Sequence, residues 1–247
     1  VALGVVPPAP FLAPVAAALR EHGGGHVAVG AQDLHAESGG AYTGAASATQ
    51  LMSSGAEFVL VGHSERRALF GDTDEDVSAK LRAALGAGLR AILCVGETLE
   101  ERELGVTDSV LACQLAKGLS GVSSEDLRER VAIAYEPVWA IGTGKVATPA
   151  QAQLAHKGIR EWLDAKYSRA VADRVLIQYG GSVTPEAVDE LMACPDIDGV
   201  LVGGASLKAD SFARIAAFVR PTAEAEVAAA AAAHAQAAAE AAAAAAE

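Results

Sequence analysis

Residues 135–145, in the middle of the chain, read YEPVWAIGTGK and give the first indication of the fold. It begins at the end of the apolar run Val131–Tyr135 and leads, through a glycine-containing loop, to the pair Thr148-Pro149. A threonine followed by a proline is typical of a helix start. A strand, a loop and a helix make one βα unit, and Glu136 stands where the strand ends. Parallel α/β folds collect their reactive side chains at that end.

The same unit recurs along residues 1–220. Short apolar runs without polar alternation, typical of strands covered on both faces, are separated by longer amphipathic segments. The runs are Ala2–Val6, His26–Ala31, Phe58–Val61, Ala91–Val95, Val131–Tyr135, Val175–Tyr179 and Val200–Val202. Their alternation with helices predicts a parallel sheet with right-handed crossovers. An open doubly wound sheet and a closed barrel both fit this periodicity.

Three of the helices have starts that can be located from the sequence. Thr148, followed by a proline and then by a glutamine at the capping-box position, predicts an N-cap. Thr184, also followed by a proline, predicts a second helix start of the same kind, and Ser123 predicts a third.

The composition narrows the class of protein. Half of the 247 residues are apolar, and 31 acidic against 19 basic side chains give a net charge of -12. This balance argues against binding to nucleic acid or to an anionic membrane, both of which require a basic face. Three widely separated cysteines do not predict a disulfide framework. Because the chain opens without the pattern of a signal peptide, we expect a cytoplasmic protein.

The last part of the chain, residues 222–247, is an alanine-rich segment of low complexity. Alanine has the highest helix propensity, so this tail is expected to be helical. A carboxylate near its middle, Glu240, would cost about 2.5–3.5 kcal/mol in a bilayer, so we do not expect a membrane span.

Several polar residues follow the predicted strands. Taken singly, a histidine or a glutamate in such a place is more often structural than catalytic. His63, however, opens a predicted helix, whose N-terminus disfavours an imidazolium, so we expect a neutral imidazole that donates a hydrogen bond. Glu136 is followed by Pro137 and Trp139, which can shield it from water and make it a useful base.

Glycine pairs and the remaining candidates have simpler interpretations. The pairs Gly180-Gly181 and Gly203-Gly204 follow the last two strands, where barrels commonly bind phosphate through backbone N–H groups. Cys94 is expected to be buried and inert. The pair Arg66-Arg67 is interpreted as part of an ion-pair network or an interface rather than a substrate clamp.

Three segments, taken together, are specific enough to indicate a protein family. GHSERR at residues 62–67, YEPVWAIGTGK at 135–145 and YGGSV at 179–183 resemble, in this order, the signature segments of the triosephosphate isomerase family. The resemblance implies a TIM (β/α)₈ barrel. It also implies interconversion of dihydroxyacetone phosphate and glyceraldehyde 3-phosphate, as part of glycolysis and gluconeogenesis, without a cofactor or a metal.

The resemblance also implies roles for single residues. Glu136 is then the general base, and neutral His63 polarises the carbonyl of the substrate. Residues 137–146 are similar to a mobile lid, and residues 39–44 resemble the loop that reaches into the partner subunit of a homodimer. The implied substrate-binding positions are Gly142, Ser182, Gly203 and Gly204, and the implied supporting positions are Glu65, Cys94 and Tyr179.

The match departs from the family at its beginning. The run Ala2–Val6 resembles the family's second strand, so we expect seven of the eight βα units, in a domain of residues 1–221. The family's first loop carries an Asn-x-Lys segment that contacts substrate, and without this segment we expect reduced or absent activity. The alternative is a relative of the isomerase that binds phosphorylated ligands without turnover. Two smaller departures are Asp33 and Ala45, where an asparagine and a glutamate are common.

Overall fold

The computed structural model describes residues 1–141, 143 and 146–220. Seven strands form one sheet in which every neighbouring pair is parallel and the spatial order is the order in the chain. The strands are β1 (Leu3–Val5), β2 (Val27–Ala31), β3 (Phe58–Val61), β4 (Arg90–Val95), β5 (Val131–Tyr135), β6 (Ile177–Tyr179) and β7 (Gly199–Val200). A doubly wound sheet reverses its strand order at a switch point. The sequential order therefore decides for the barrel type, and the predicted seven βα units are confirmed.

Helices connect the strands and cover the outer face of the sheet. They are α1 (Leu12–Glu21), α2 (Ala48–Ser53), α3 (Ser64–Phe70), α4 (Asp74–Ala87), α5 (Leu99–Glu103), α6 (Thr107–Gly118), α7 (Ser124–Arg130), α8 (Pro149–Lys166), α9 (Arg169–Ala172), α10 (Val188–Met192) and α11 (Ala209–Ala216). Three single-turn 3₁₀ helices span Ala9–Phe11, Val138–Ala140 and Gly204–Leu207. In the part of the chain that the structure describes, no helix is both long and apolar enough to cross a bilayer.

The predicted helix starts are confirmed at two places and wrong at one. Thr148 caps α8 with a complete capping box, and Ser123 caps α7 by accepting a hydrogen bond from the Asp126 backbone N–H. Thr184 does not begin a helix, since α10 starts four residues later at Val188. Its hydroxyl instead accepts a hydrogen bond from the Ala187 N–H at 3.3 Å, so the residue closes a turn that precedes the helix.

The core is densest under the middle of the sheet. All four residues of β3 are buried, whereas all three of β1 are only partly buried. Among the described residues β1 and β7 each pair with one neighbour, so each leaves one edge of the sheet free. The predicted alanine-rich tail lies outside the described residues.

Candidate functional site

The two strongest candidates from the sequence meet at the carboxyl end of the sheet. Glu136 directly follows β5, and His63 follows β3 after a single glycine. The His63 Nε2 atom lies 2.9 Å from Glu136 Oε1, although the two residues are separated by 73 positions in the chain. Glu136 is only 2 % exposed, which confirms that its surroundings shield it from water.

The carboxylate of Glu136 is held from several sides. Its Oε2 accepts a hydrogen bond of 2.8 Å from the backbone N–H of Ser64, in the first turn of α3. Two glycines leave room for the residue: a Cβ on Gly180 would lie 2.9 Å from Glu136 Cγ, and one on Gly96 would overlap its carbonyl group. The glycines that follow β4 and β6 therefore let the chain approach the backbone and the side chain of Glu136 closely.

His63 is the N-cap residue of α3. Its Nδ1 accepts a hydrogen bond of 3.3 Å from the Glu65 backbone N–H. An imidazole nitrogen that accepts carries no proton, so in the neutral ring Nε2 bears the hydrogen and donates it to Glu136. This agrees with the expected hydrogen-bond donor.

The pKa of His63 in the ligand-free site shifts in the direction opposite to the one expected from the sequence. Burial acts to lower the pKa of His63, but the hydrogen bond and the negative charge of Glu136 outweigh burial and raise this pKa above its ordinary value. The helix N-terminus alone had predicted the opposite direction. The direct contact with a buried carboxylate, which no local pattern in the sequence reveals, is the cause of the difference.

Two of the implied supporting residues flank this pair. The Glu65 carboxylate is 3.9 Å from His63 Nδ1, with its side chain 68 % exposed, so it interacts with the imidazole from the solvent side. Cys94 is fully buried at the end of β4, as expected. Burial and the nearby Glu136 charge raise the pKa of its thiol well above the ordinary value, so the thiol stays protonated and inert.

The predicted lid begins in a turn that is tied to the sheet. Ser182 Oγ donates a hydrogen bond of 2.8 Å to the Ala140 carbonyl oxygen, and Thr143 Oγ1 donates one of 2.6 Å to the Trp139 carbonyl oxygen. Tyr179 is buried, and burial raises the pKa of its phenol to about 12. Its hydroxyl has no hydrogen-bond partner among the described residues. Gly142, an implied substrate-binding position, lies outside the described residues.

Glu97 is a site residue to which the sequence analysis assigned no role. It is completely buried two residues beyond β4, and its Oε1 accepts hydrogen bonds from Tyr135 Oη at 3.0 Å and Trp139 Nε1 at 2.9 Å. Arg102 Nη1 lies 3.2 Å from the same oxygen. This carboxylate therefore fixes the tryptophan near the beginning of the predicted lid. The sequence offered one indication of this role, which is a carboxylate two residues after a buried strand.

The glycine pair Gly203-Gly204 lies at the other side of the site. Gly203 precedes the 3₁₀ turn Gly204–Leu207, and a Cβ on either glycine would meet no atom within 4 Å. Both glycines line the same cavity, of about 2090 Å³, as His63 and Glu136. Ligand sites usually enclose about 300–1,000 Å³. This cavity is larger because it continues between the free edges of β1 and β7.

The described cationic side chains that line the cavity already form ion pairs with carboxylates. Of the lysines and arginines that the structure describes, Arg66 and Lys80 line the cavity. Lys80 Nζ lies 2.8 Å from Asp33 and 2.6 Å from Asp72, and Arg66 Nη2 lies 3.1 Å and 3.2 Å from the same two carboxylates. These four residues form an ion-pair network, which confirms the interpretation of Arg66. Lys145 lies outside the described residues.

The arrangement is suited to moving a proton between carbon atoms. A shielded carboxylate is a base, an imidazole N–H beside it can stabilise charge on a carbonyl oxygen, and neighbouring glycines expose backbone N–H groups to an anion. The three groups face one cavity at the carboxyl ends of the strands, the usual location of active sites in barrels.

Comparison of the sequence with known proteins identifies the family. The sequence model of the family described as triosephosphate isomerase matches residues 1–219. The triosephosphate isomerase of Carboxydothermus hydrogenoformans is 55% identical over 213 residues, which cover 86% of this chain and 83% of the relative. That of Herpetosiphon aurantiacus is 54% identical over 214 residues, covering 87% and 84%. That of a Roseiflexus species is 53% identical over 193 residues, covering 78% and 76%.

Proposed function

The chain belongs to the triosephosphate isomerase family, and we propose that it interconverts dihydroxyacetone phosphate and D-glyceraldehyde 3-phosphate in glycolysis and gluconeogenesis. The observation that carries the proposal is the contact of 2.9 Å between His63 Nε2 and the buried Glu136 carboxylate. It joins a base and a hydrogen-bond donor at one point of the cavity, and an aldose–ketose isomerisation requires these two groups.

Glu136 acts as the general base in this proposal. Its carboxylate removes a proton from the carbon next to the carbonyl group. The electron pair of the broken C–H bond forms a C=C bond and the π pair of the carbonyl group moves to its oxygen, giving an enediolate. The proton of the substrate's hydroxyl group is transferred to the former carbonyl oxygen with the help of His63, and the protonated carboxyl of Glu136 returns its proton to the former carbonyl carbon. Its hydrogen bond from the Ser64 N–H supports a defined starting position for the carboxylate.

His63 acts on the oxygens of the substrate. The Nε2–H that points at Glu136 in the ligand-free site is the donor that would polarise the carbonyl and stabilise the enediolate. The phosphate group is proposed to bind at Gly142, Ser182, Gly203 and Gly204 through backbone N–H groups and one hydroxyl. The lid would exclude water during the reaction, with Tyr179 and Glu97 at its foot.

We further propose that the protein works in the cytoplasm as a homodimer. The proposal for a dimer is supported by exposed apolar side chains near the site, which favour association. Tyr42 on the loop 39–44 is 47% exposed, and Leu69 and Phe70 at the end of α3 are 76% and 66% exposed. The test is the molar mass in solution, and a monomer at micromolar concentration would contradict it.

The proposed reaction is tested by measuring turnover of glyceraldehyde 3-phosphate with a coupled assay. Glu136→Gln should lower kcat by about 10³ or more, and Glu136→Asp, which moves the base by one methylene, by about 10². Glu125→Gln, an exposed glutamate on α7, is the matched control and should leave kcat unchanged. Turnover that persists in Glu136→Gln would contradict the assignment. Binding of 2-phosphoglycolate without turnover by the unmodified chain would favour the non-catalytic alternative.

A further inference from the structure

Arg67 lies on α3, next to the candidate site, and none of the catalytic or substrate-binding roles above includes it. Its guanidinium is held at three points: Nε donates to the Gly62 carbonyl oxygen at 2.8 Å, and Nη2 donates to the Cys94 carbonyl oxygen at 3.3 Å. Nη1 forms an ion pair of 2.7 Å with the Asp74 carboxylate, at the beginning of α4. Only 19% of the side chain is exposed. One side chain thus joins the ends of two strands and the start of a helix.

Each backbone partner of Arg67 is adjacent to a reacting group. The Gly62 carbonyl belongs to the peptide bond that His63 completes, so a hydrogen bond to this oxygen restrains the plane from which His63 begins. The Cys94 thiol lies close to Glu136, whose charge contributes to the raised pKa of the thiol. Arg67 and its three contacts, which we call the clamp, therefore restrain the backbone next to His63 and next to Glu136.

The glycine before His63 is part of the same arrangement. Gly62 has φ of +76°, a left-handed conformation that side chains rarely adopt. A Cβ at this position would lie 3.0 Å from Arg67 Nη2 and 2.9 Å from Val77 Cγ2. The chain can turn sharply here because glycine permits the conformation and because the guanidinium of Arg67 donates a hydrogen bond to the Gly62 carbonyl oxygen.

The three contacts require the shape of arginine. A guanidinium is planar and presents its N–H groups in a fixed fork, so one arginine bonds several acceptors without reordering. A lysine offers its donors from a single atom and cannot span the Gly62 oxygen, the Cys94 oxygen and the Asp74 carboxylate in this geometry.

We propose that Arg67 is a positioning residue for the isomerase reaction, which clamps the ends of β3 and β4 and thereby places His63 against Glu136. The inference rests on the proposed function for its effect on turnover. Its structural consequence, the place of the His63 ring, does not depend on turnover and is measured separately.

The test compares Arg67→Gln and Arg67→Lys with a matched control. Arg130→Gln also removes a partly buried arginine, which donates to the Leu85 carbonyl oxygen at 2.7 Å and pairs with Asp126, but it lies at the opposite end of the sheet, before β5. Each full-length variant is examined by NMR titration of the His63 ring, assigned with His63→Asn, together with kcat, KM and melting temperature.

Loss of the clamp should move the His63 titration to lower pH, because the ring loses the hydrogen bond and the charge of Glu136, the two largest causes that raise its pKa, and only the smaller effect of Glu65 then opposes burial. In Arg67→Gln we expect this shift together with a loss in kcat of about 10², at nearly constant KM, as for a reacting group that is displaced by about 1 Å. Arg67→Lys should fold, keep the Asp74 pair and show the same direction of both effects. Arg130→Gln should change only the melting temperature.

Several outcomes would overturn the proposal. An unchanged His63 titration in both Arg67 variants would mean that the ring is placed without the clamp. Equal effects of Arg67→Gln and Arg130→Gln on the titration would show a general loss of structure. Wild-type behaviour of Arg67→Lys would show that charge alone is required. If the unmodified chain lacks turnover but the Arg67 variants still shift the titration, the clamp stands and the proposed function fails.

Discussion

The middle and the margins of the sheet differ in completeness. β4 and β5 pair through five residue positions, whereas β6 and β7 pair through two. The strands of the middle are largely buried, and β1 and β7 at the margins are half-buried with one free edge each. His63 and Glu136 follow strands of the middle, but the glycine pair proposed for phosphate follows β7. The groups proposed for proton transfer therefore follow the buried strands of the sheet, and the glycine pair proposed for phosphate follows a partly buried strand at its margin.

The largest expected effect comes from completing the margins. Adding a strand and a helix of the family type upstream of Val1, with a lysine after the strand, should pair the free edges of β1 and β7 and supply a cation at the cavity. Because Arg66 and Lys80 are both engaged in ion pairs, the added charge should raise kcat/KM by about 10³ or more.

The same extension with its lysine changed to alanine separates the two contributions. It should restore pairing, and so raise the melting temperature, with most of the gain in kcat/KM lost. If the chain as it stands turns over as fast as the extended chain, the margins do not limit the reaction.

The next effect compares the same substitution in the two regions. Leu93→Ala, at a fully buried position of β4, should lower the free energy of unfolding by about 2–5 kcal/mol. Leu3→Ala on β1, which is only partly buried, should cost about 1 kcal/mol, because folding buries less apolar surface at this position. Urea denaturation of both variants measures the difference. Equal costs would mean that the margin is as well packed as the middle.

A buried histidine in the middle should make stability depend on pH. His156 on α8 is completely buried, and burial lowers its pKa to about 4, with Arg160 acting in the same direction and the Asp196 carbonyl opposing. The unfolded chain takes up a proton near pH 6.5, whereas the folded chain does so only near pH 4. Stability contributed by the neutral ring is therefore present above pH 6.5 and lost on acidification toward pH 4, by roughly 3 kcal/mol in total.

The measurement is the free energy of unfolding between pH 4 and 7 for the wild type and His156→Gln. Other carboxylates titrate in this range in both proteins, so the difference in slope isolates the histidine. Parallel curves for the two proteins would show that His156 titrates normally.

The parts of the molecule that followed from the sequence are those set by local pattern. Apolar runs predicted all seven strands to within two residues, and because the ends of parallel strands meet at one edge, His63 and Glu136 were expected together. The helix start at Thr184 was wrong, since a threonine and a proline also suit a turn.

Contacts between distant segments did not follow from the sequence. The raised pKa of His63 depends on Glu136, and the role of Glu97 depends on Tyr135 and Trp139, which lie about 40 positions away. The three contacts of Arg67 likewise join separate units, and only a structure brings them together.

The smallest expected effect compares two carboxylates, one from each region. Glu97→Gln replaces a completely buried acceptor that holds Trp139, and a buried amide facing Arg102 cannot satisfy the same donors. We expect a loss of about 1–3 kcal/mol in the free energy of unfolding and a change in tryptophan fluorescence at the foot of the lid. Asp33→Asn at the margin should cost less than about 1 kcal/mol, because its side chain is 25% exposed and Lys80 keeps its ion pair with Asp72.

Denaturation curves for both variants, recorded at low and high salt, check this comparison of the two carboxylates. The Asp33→Asn effect should shrink with salt, since solvent ions reach that network, and the Glu97→Gln effect should persist. A larger loss of unfolding free energy in Asp33→Asn than in Glu97→Gln would contradict the comparison. It would mean that the partly exposed ion-pair network stabilises the fold more than the buried hydrogen bonds of Glu97 do.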